Sequence, residues 1–243
     1  DMIEQPEKVL AACEALMPHL LHVALSGADP DKNVPIGFWM HRGCVPFVSG
    51  DQFRDYYWPT LQPIIEALWA RGHQVLFYAE GNWDHHLDTF GELPDGSIVF
   101  HVDRSSLIRA HEVLGGRFCL SGGIPNYLLT YGTPDDIRDC IKRIIDTVAR
   151  DGGYIMDASA IIQNDATEAN IRLMTDFTRE YGVYGAPSRS PHVGPSTHSG
   201  TIDVPVELGA PSVSPGVCVP WEDKLKEIPS FTGNRDLVRQ VWE

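Results

Sequence analysis

Apolar positions in this chain alternate between blocks of helical spacing and short continuous runs. Residues 3–25 (IEQPEKVLAACEALMPHLLHVAL) predict a helix, with Pro6 in its first turn and Pro18 placed to end or bend it. PIGFWM (35–40) is a short apolar run that stops at His41, which predicts a strand. Residues 49–72 open on a Ser/Asp cap and return to helical spacing, with prolines dividing them into two pieces. HQVLFYAE (73–80) is the next strand, and NWDHHLDTFGEL after it is a loop with a short helix. The rhythm continues with a strand at 97–103, a Ser-capped helix at 105–115 and a strand at 117–123. A long helix at 133–153 has Thr133 as its cap and Pro134 at its first position. A strand at 154–159 and an amphipathic helix at 166–182 complete the series.

Five strand–helix units imply a parallel sheet with right-handed crossovers. Buried strands that end in polar residues suit an α/β fold of the (β/α)8 TIM-barrel type. A barrel needs eight strands, so three must come from a preceding segment or a second chain; an open doubly wound sheet is the alternative. The barrel portion spans 1–184. Residues 185–243 form a Pro/Ser/Gly-rich extended tail with one short helix near its end.

Composition narrows the function. The chain has 243 residues, 43% of them hydrophobic, enough for one sizeable core. Its net charge of −14 and lack of a basic patch argue against nucleic acid as a partner. The five cysteines are scattered, without a CxxC pair, as expected of a reducing, cytoplasmic setting. No apolar run is read as a membrane span, and Asp1 opens directly onto a helical pattern, so no signal peptide is expected. A first residue other than Met points to processing or to a longer gene product.

The candidate chemistry lies at the strand ends. In LFYAEGNWDHH (76–86) a carboxylate, Glu80, follows a buried run and two imidazoles come after a Gly-Asn turn. His41, His101, Asp103 and Asp157 stand at the ends of the other strands, and in a barrel such ends converge on one mouth. His101 and Asp103, two residues apart, share a strand face. The bland readings are a cap for Glu80 or Asp103, a bonded core position for His101, and a backbone contact for His41. His85 and His86 are read as solvated loop residues. Tyr78 and Trp83 are candidates for a flat-substrate pocket, with Asn82 in the adjoining turn. Gly123, in SGGIP, allows backbone amides to approach a ligand. Cys119, inside a strand, is read as core.

The order and spacing of DMIEQPEKVLAACEAL, GDQFRDYYWPTLQPII, FYAEGN, FCLSGGIPNYLLTYGTPDDIRDCIKRIID and GGYIMDASAII resemble the C-terminal two-thirds of the uroporphyrinogen decarboxylase-like superfamily. The resemblance covers roughly residues 1–182 and is strongest from Gly122 to Ile141. It implies a (β/α)8 barrel with one of two activities: cofactor-free decarboxylation of a porphyrinogen, or methyl transfer to or from a corrinoid protein. Thiol-activating members carry His-x-Cys-Gly where this chain has Tyr78-Ala79-Glu80-Gly81. The AEG sequence is similar to the branch associated with corrinoid-dependent demethylation of methyl ethers and related compounds. That resemblance implies a cobalamin carried by a partner corrinoid protein, a small methylated substrate, and zinc held by Glu80, His101 and Asp103. Glu80, His101, Asp103 and His41 would be catalytic, and Tyr78, Trp83, Asn82, Gly123 and Asp157 would bind substrate. The alternatives are the decarboxylase and a non-catalytic subunit of a split, oligomeric barrel.

Overall fold

A computed structural model describes residues 2–184, 220–227 and 233–242. The chain divides into two compact units, Asp1–Leu208 and Gly209–Glu243. In the first unit, β1 (Ile36–Met40), β2 (Val75–Ala79), β3 (Ile98–Val102), β4 (Cys119–Gly122) and β5 (Tyr154–Ile155) form one parallel sheet in chain order. β5 is shorter than the expected strand, and Ala158 rejoins the sheet through an isolated bridge to Ile124.

The helices between strands follow the sequence signals closely. α1 (Pro6–Ser26) runs through Pro18 rather than ending there. Proline removes one donor to the Glu14 carbonyl, and Glu14 is exposed, so water can take its place. α2 (Gly50–Gln52) starts in a capping box in which the Ser49 side chain accepts from Gln52 N–H. A π turn (Phe53–Tyr57) then leads into α3 (Trp58–Ala70), with a prolyl residue in its first turn. Pro59 has no N–H to donate, so the wider turn at the junction falls where the α ladder is already interrupted. α4 (Leu87–Phe90), α5 (Leu107–Leu114), α7 (Pro134–Ile144) and α8 (Glu168–Tyr181) fall within the expected segments. A second π turn, Ile145–Ala149, continues α7, and α6 (Asn126–Tyr131) is a short helix the hydrophobic pattern did not reveal.

Strand alternation gives the sheet two different faces. Phe77, Phe100 and Leu120 have no exposed surface, and Phe90 from α4 packs on both phenylalanines. Burying a side chain of this size stabilises by about 1.5–3 kcal/mol. The opposite, inner face carries Trp39, Tyr78, His101 and Ser121 side by side in register.

α1 is 21 residues long and apolar enough to cross a membrane by length and composition, contrary to the reading of its sequence. Here it packs against α3 and buries Met17 and Leu21. In the second unit two short helices, α9 (Trp221–Glu227) and α10 (Arg235–Trp242), replace the single one expected, and Arg239 reaches Glu222 at 3.8 Å. The stretch read as extended, 185–219, lies outside the described residues.

Candidate functional site at the strand ends

Two successive rows of side chains line the C-terminal end of the inner face. The register Trp39–Tyr78–His101–Ser121–Ile155 sets the first row. Two residues further along each strand stand His41, Glu80, Asp103, Gly123 and Asp157, which the period of two places on the same face. Every strand-end residue singled out from the sequence therefore belongs to one wall.

His41 and Glu80 meet at once. Met40 pairs with Ala79, so the next residues of the two strands are neighbours. His41 Nδ1 lies 2.6 Å from Glu80 Oε2, with side chains 55% and 40% exposed. A carboxylate only accepts, so Nδ1–H is the donor and Nε2 remains for other partners.

The Glu80 turn is braced from the neighbouring strand. Gly81 has φ +94°, and its N–H donates to Asp103 Oδ2 at 2.8 Å. The Gly81 carbonyl accepts from Arg104 N–H. Asp103 thus fastens the loop that carries Glu80, and does not cap its own helix; Ser106 does that. Burial pushes the Asp103 carboxyl above its ordinary value, against the Gly81 hydrogen bond and the nearby Arg104 charge.

His101 is a bonded core histidine. It is 2% exposed, and its Nε2 lies 3.0 Å from the Ser159 carbonyl oxygen. A carbonyl cannot donate, so Nε2 carries the proton and Nδ1 accepts from the Ser121 hydroxyl at 3.1 Å. Burial holds its pKa below the ordinary histidine value, opposed by the Ser159 hydrogen bond and by the Asp157 and Asp103 charges. Asp157 Oδ2 is 3.9 Å from His101 Nδ1, while its Oδ1 accepts from Ala158 N–H.

Zinc needs ligand lone pairs that point at one position. His101 has protein partners at both ring nitrogens, and one Asp103 oxygen is committed to Gly81. No three His, Cys, Asp or Glu residues converge as a metal-holding group among the described residues. Glu80, His101 and Asp103 as arranged do not fit a zinc ion.

Tyr78 and Trp83 separate sharply. The Tyr78 ring stacks on His101 at 4.2 Å and meets the Trp39 ring at 4.7 Å. Burial, then the carboxylates of Asp157, Asp103 and Glu80, push its hydroxyl up to about 12. Trp83, in contrast, has no exposed surface with which to touch a substrate. Its ring sits among Phe53, Phe77 and Phe90, and its indole N–H donates to the Glu80 carbonyl at 2.9 Å. Asn82 is a turn residue: its carbonyl accepts from Val45 N–H and its side chain from Asp84 N–H. Gly123 lies at φ +91°, where a Cβ would come within 2.7 Å of Leu107. His86, read as a loop residue, is instead 1% exposed and stacked 4.0 Å from Phe53. Sequence reasoning also missed Trp39, which is 55% exposed on the inner face, and the two serines that hold His101. Trp39 and Ser121 stand two residues before His41 and Gly123, as Tyr78 stands before Glu80, so the strand period could have found them.

No curated protein sequence matches the chain. Among solved structures, a methyltransferase from Methanosarcina mazei matches with a TM-score of 0.53 and 17% identity over 72% of this chain. The match covers 48% of that protein, so this chain spans about half the length of its structural neighbour. A family model, uroporphyrinogen decarboxylase (URO-D), matches residues 1–181. The ordered five-strand parallel sheet, its row of polar strand ends and this match over three-quarters of the chain agree, and the chain belongs to the URO-D family.

Proposed function

We propose that this chain is the barrel portion of a corrinoid-dependent methyltransferase that takes a methyl group from a small methylated, for example methoxylated, substrate. The observation that carries this reading is the His41–Glu80 pair, 2.6 Å apart and open to a ligand at the strand ends. A methyl–oxygen bond breaks with its electron pair left on oxygen, and the leaving oxygen needs a proton. Glu80 orients His41 through Nδ1 and stabilises the imidazolium, as a carboxylate does in other His-based sites. The doubly protonated ring then offers Nε2–H to the leaving oxygen. Trp39, exposed on the inner face, supplies an aromatic surface for the substrate, backed by the buried Tyr78 ring. A cobalamin on a docked partner protein supplies the nucleophile for the methyl carbon. The four described cysteines are free thiols, in keeping with a reducing, cytoplasmic setting.

The charge of the wall weighs against decarboxylation of a porphyrinogen. Such a substrate is a poly-acid and calls for converging arginines, whereas Tyr78 is surrounded by the charges of Asp157, Asp103 and Glu80. Among the described residues β1 and β5 end the sheet, and closure of a barrel takes three more strands.

The test is to supply the purified protein, with any co-purifying chain, with reduced corrinoid protein and a series of methoxylated donors. Donor-dependent loss of the Co(I) absorbance supports the reading. Absence of loss with every donor, from a folded protein that decarboxylates a porphyrinogen, would overturn it.

A further inference from the structure

We propose that the cavity beside this wall, which it adjoins through Asp103 and Gly123, binds a small organic anion with an apolar body. The cavity, about 570 Å³, opens between the loops that follow β3, β4 and β5 and the end of α7. That volume lies within the usual range for small-molecule pockets.

Its charges are unbalanced in one direction. Arg104, Arg143 and Asp103 are the charged groups that line it. Asp103 already accepts the Gly81 N–H through Oδ2. Arg104 forms no ion pair among the described residues, and the Arg143 guanidinium has Cys140 Sγ, at 3.8 Å, as its sole hydrogen-bond partner among them. The one carboxylate there, Asp103, lies within reach of the Arg104 charge alone, and Arg104 and Arg143 are the arginines among the described residues that line the cavity. Their planar donor forks match a carboxylate or a phosphate. Leu107, Ile144 and Val148 supply the apolar wall for the rest of the ligand.

The place is chemically apt as well. Gly123 and Ser159, from the loops after β4 and β5, line the cavity. Ser159 also receives the His101 Nε2–H, and Asp103 braces the Glu80 turn. An anion bound here would therefore touch two residues that hold the catalytic wall in shape.

The probes are phenyl phosphate, benzoate and inorganic phosphate, titrated calorimetrically at constant ionic strength into wild type, Arg104→Gln and Arg143→Gln. Wild type is expected to bind phenyl phosphate or benzoate more tightly than inorganic phosphate, and the tighter of the two identifies the head group. Each substitution is expected to weaken that binding about tenfold, the loss of one charge-assisted hydrogen bond. Circular dichroism confirms that both variants fold, and Arg143 is exposed on α7. No binding of either organic anion to wild type, or equal binding to all three proteins, would overturn the proposal. Neither result depends on whether methyl transfer occurs.

Discussion

His41 Nδ1 and Glu80 Oε2 stand 2.6 Å apart although 39 residues separate them, because the strands that precede them end in register. The pair is exposed enough to reach a substrate and oriented enough to act on one. An exposed ion pair of this kind adds only about 0–1 kcal/mol to stability. His41→Gln and Glu80→Gln should therefore leave the unfolding midpoint almost unchanged. Both should slow methyl transfer from a methyl ether, by roughly a hundredfold or more if general acid catalysis is lost. Urea unfolding and steady-state rates on the same samples check the two halves of this expectation.

Gly81 is the hinge of the Glu80 turn. At φ +94°, a Cβ there would come within 2.5 Å of Cys44 Sγ, and Cys44 is buried. Gly81→Ala should destabilise the fold by about 1–3 kcal/mol, from backbone strain and overpacking together. Denaturant titration measures it. A change within a few tenths of a kcal/mol would show that the turn relaxes freely.

Trp83→Ala should act on stability and not on substrate affinity. The ring is wholly buried in the aromatic cluster between the sheet and α4. Its removal should cost about 3–5 kcal/mol. A rise in KM with an unchanged unfolding free energy would instead return Trp83 to the substrate pocket.

Two buried imidazoles make stability depend on pH. Burial lowers the pKa of His86 and of His101 below 6.5 in the folded chain. Below the ordinary histidine value the unfolded chain takes up protons that the folded chain refuses, so stability falls as pH drops below 6.5 and recovers above it. His86 Nε2 also has no hydrogen-bond partner among the described residues. His86→Phe should flatten the slope between pH 5 and 7 and add on the order of 1 kcal/mol by removing an unsatisfied polar group. An unchanged slope would mean that His86 is not neutral in the fold.

The fold was legible because strand runs, caps and glycine stops agreed along the chain. Thr133 and Ser106 cap helices where the sequence placed caps, and all five strands pair in chain order. α6 was hidden because Pro125 and Gly132 bound a helix of six residues, too short for a periodic signal. The wall was legible in outline, since carboxylates and imidazoles at strand ends mark a barrel mouth. Their division of labour was not. Nothing in the sequence states that His101 spends both nitrogens on Ser121 and Ser159, or that Asp103 turns back to Gly81. These are contacts across 20 to 58 residues, created by register. Histidine 86 misled for the same reason: in LFYAEGNWDHH it follows a polar turn, yet the loop folds back and stacks it on Phe53.

The central claim is that His41, held by Glu80, protonates the leaving atom. The most direct test compares His41→Gln with wild type on two aryl methyl ethers that differ in leaving-group basicity, such as anisole and its 4-nitro analogue, with reduced cobalamin as acceptor. The account predicts a loss of about a hundredfold or more on anisole, and a much smaller loss on the nitro compound, whose phenolate leaves without a proton. Equal losses on both ethers, or none on either, would contradict it.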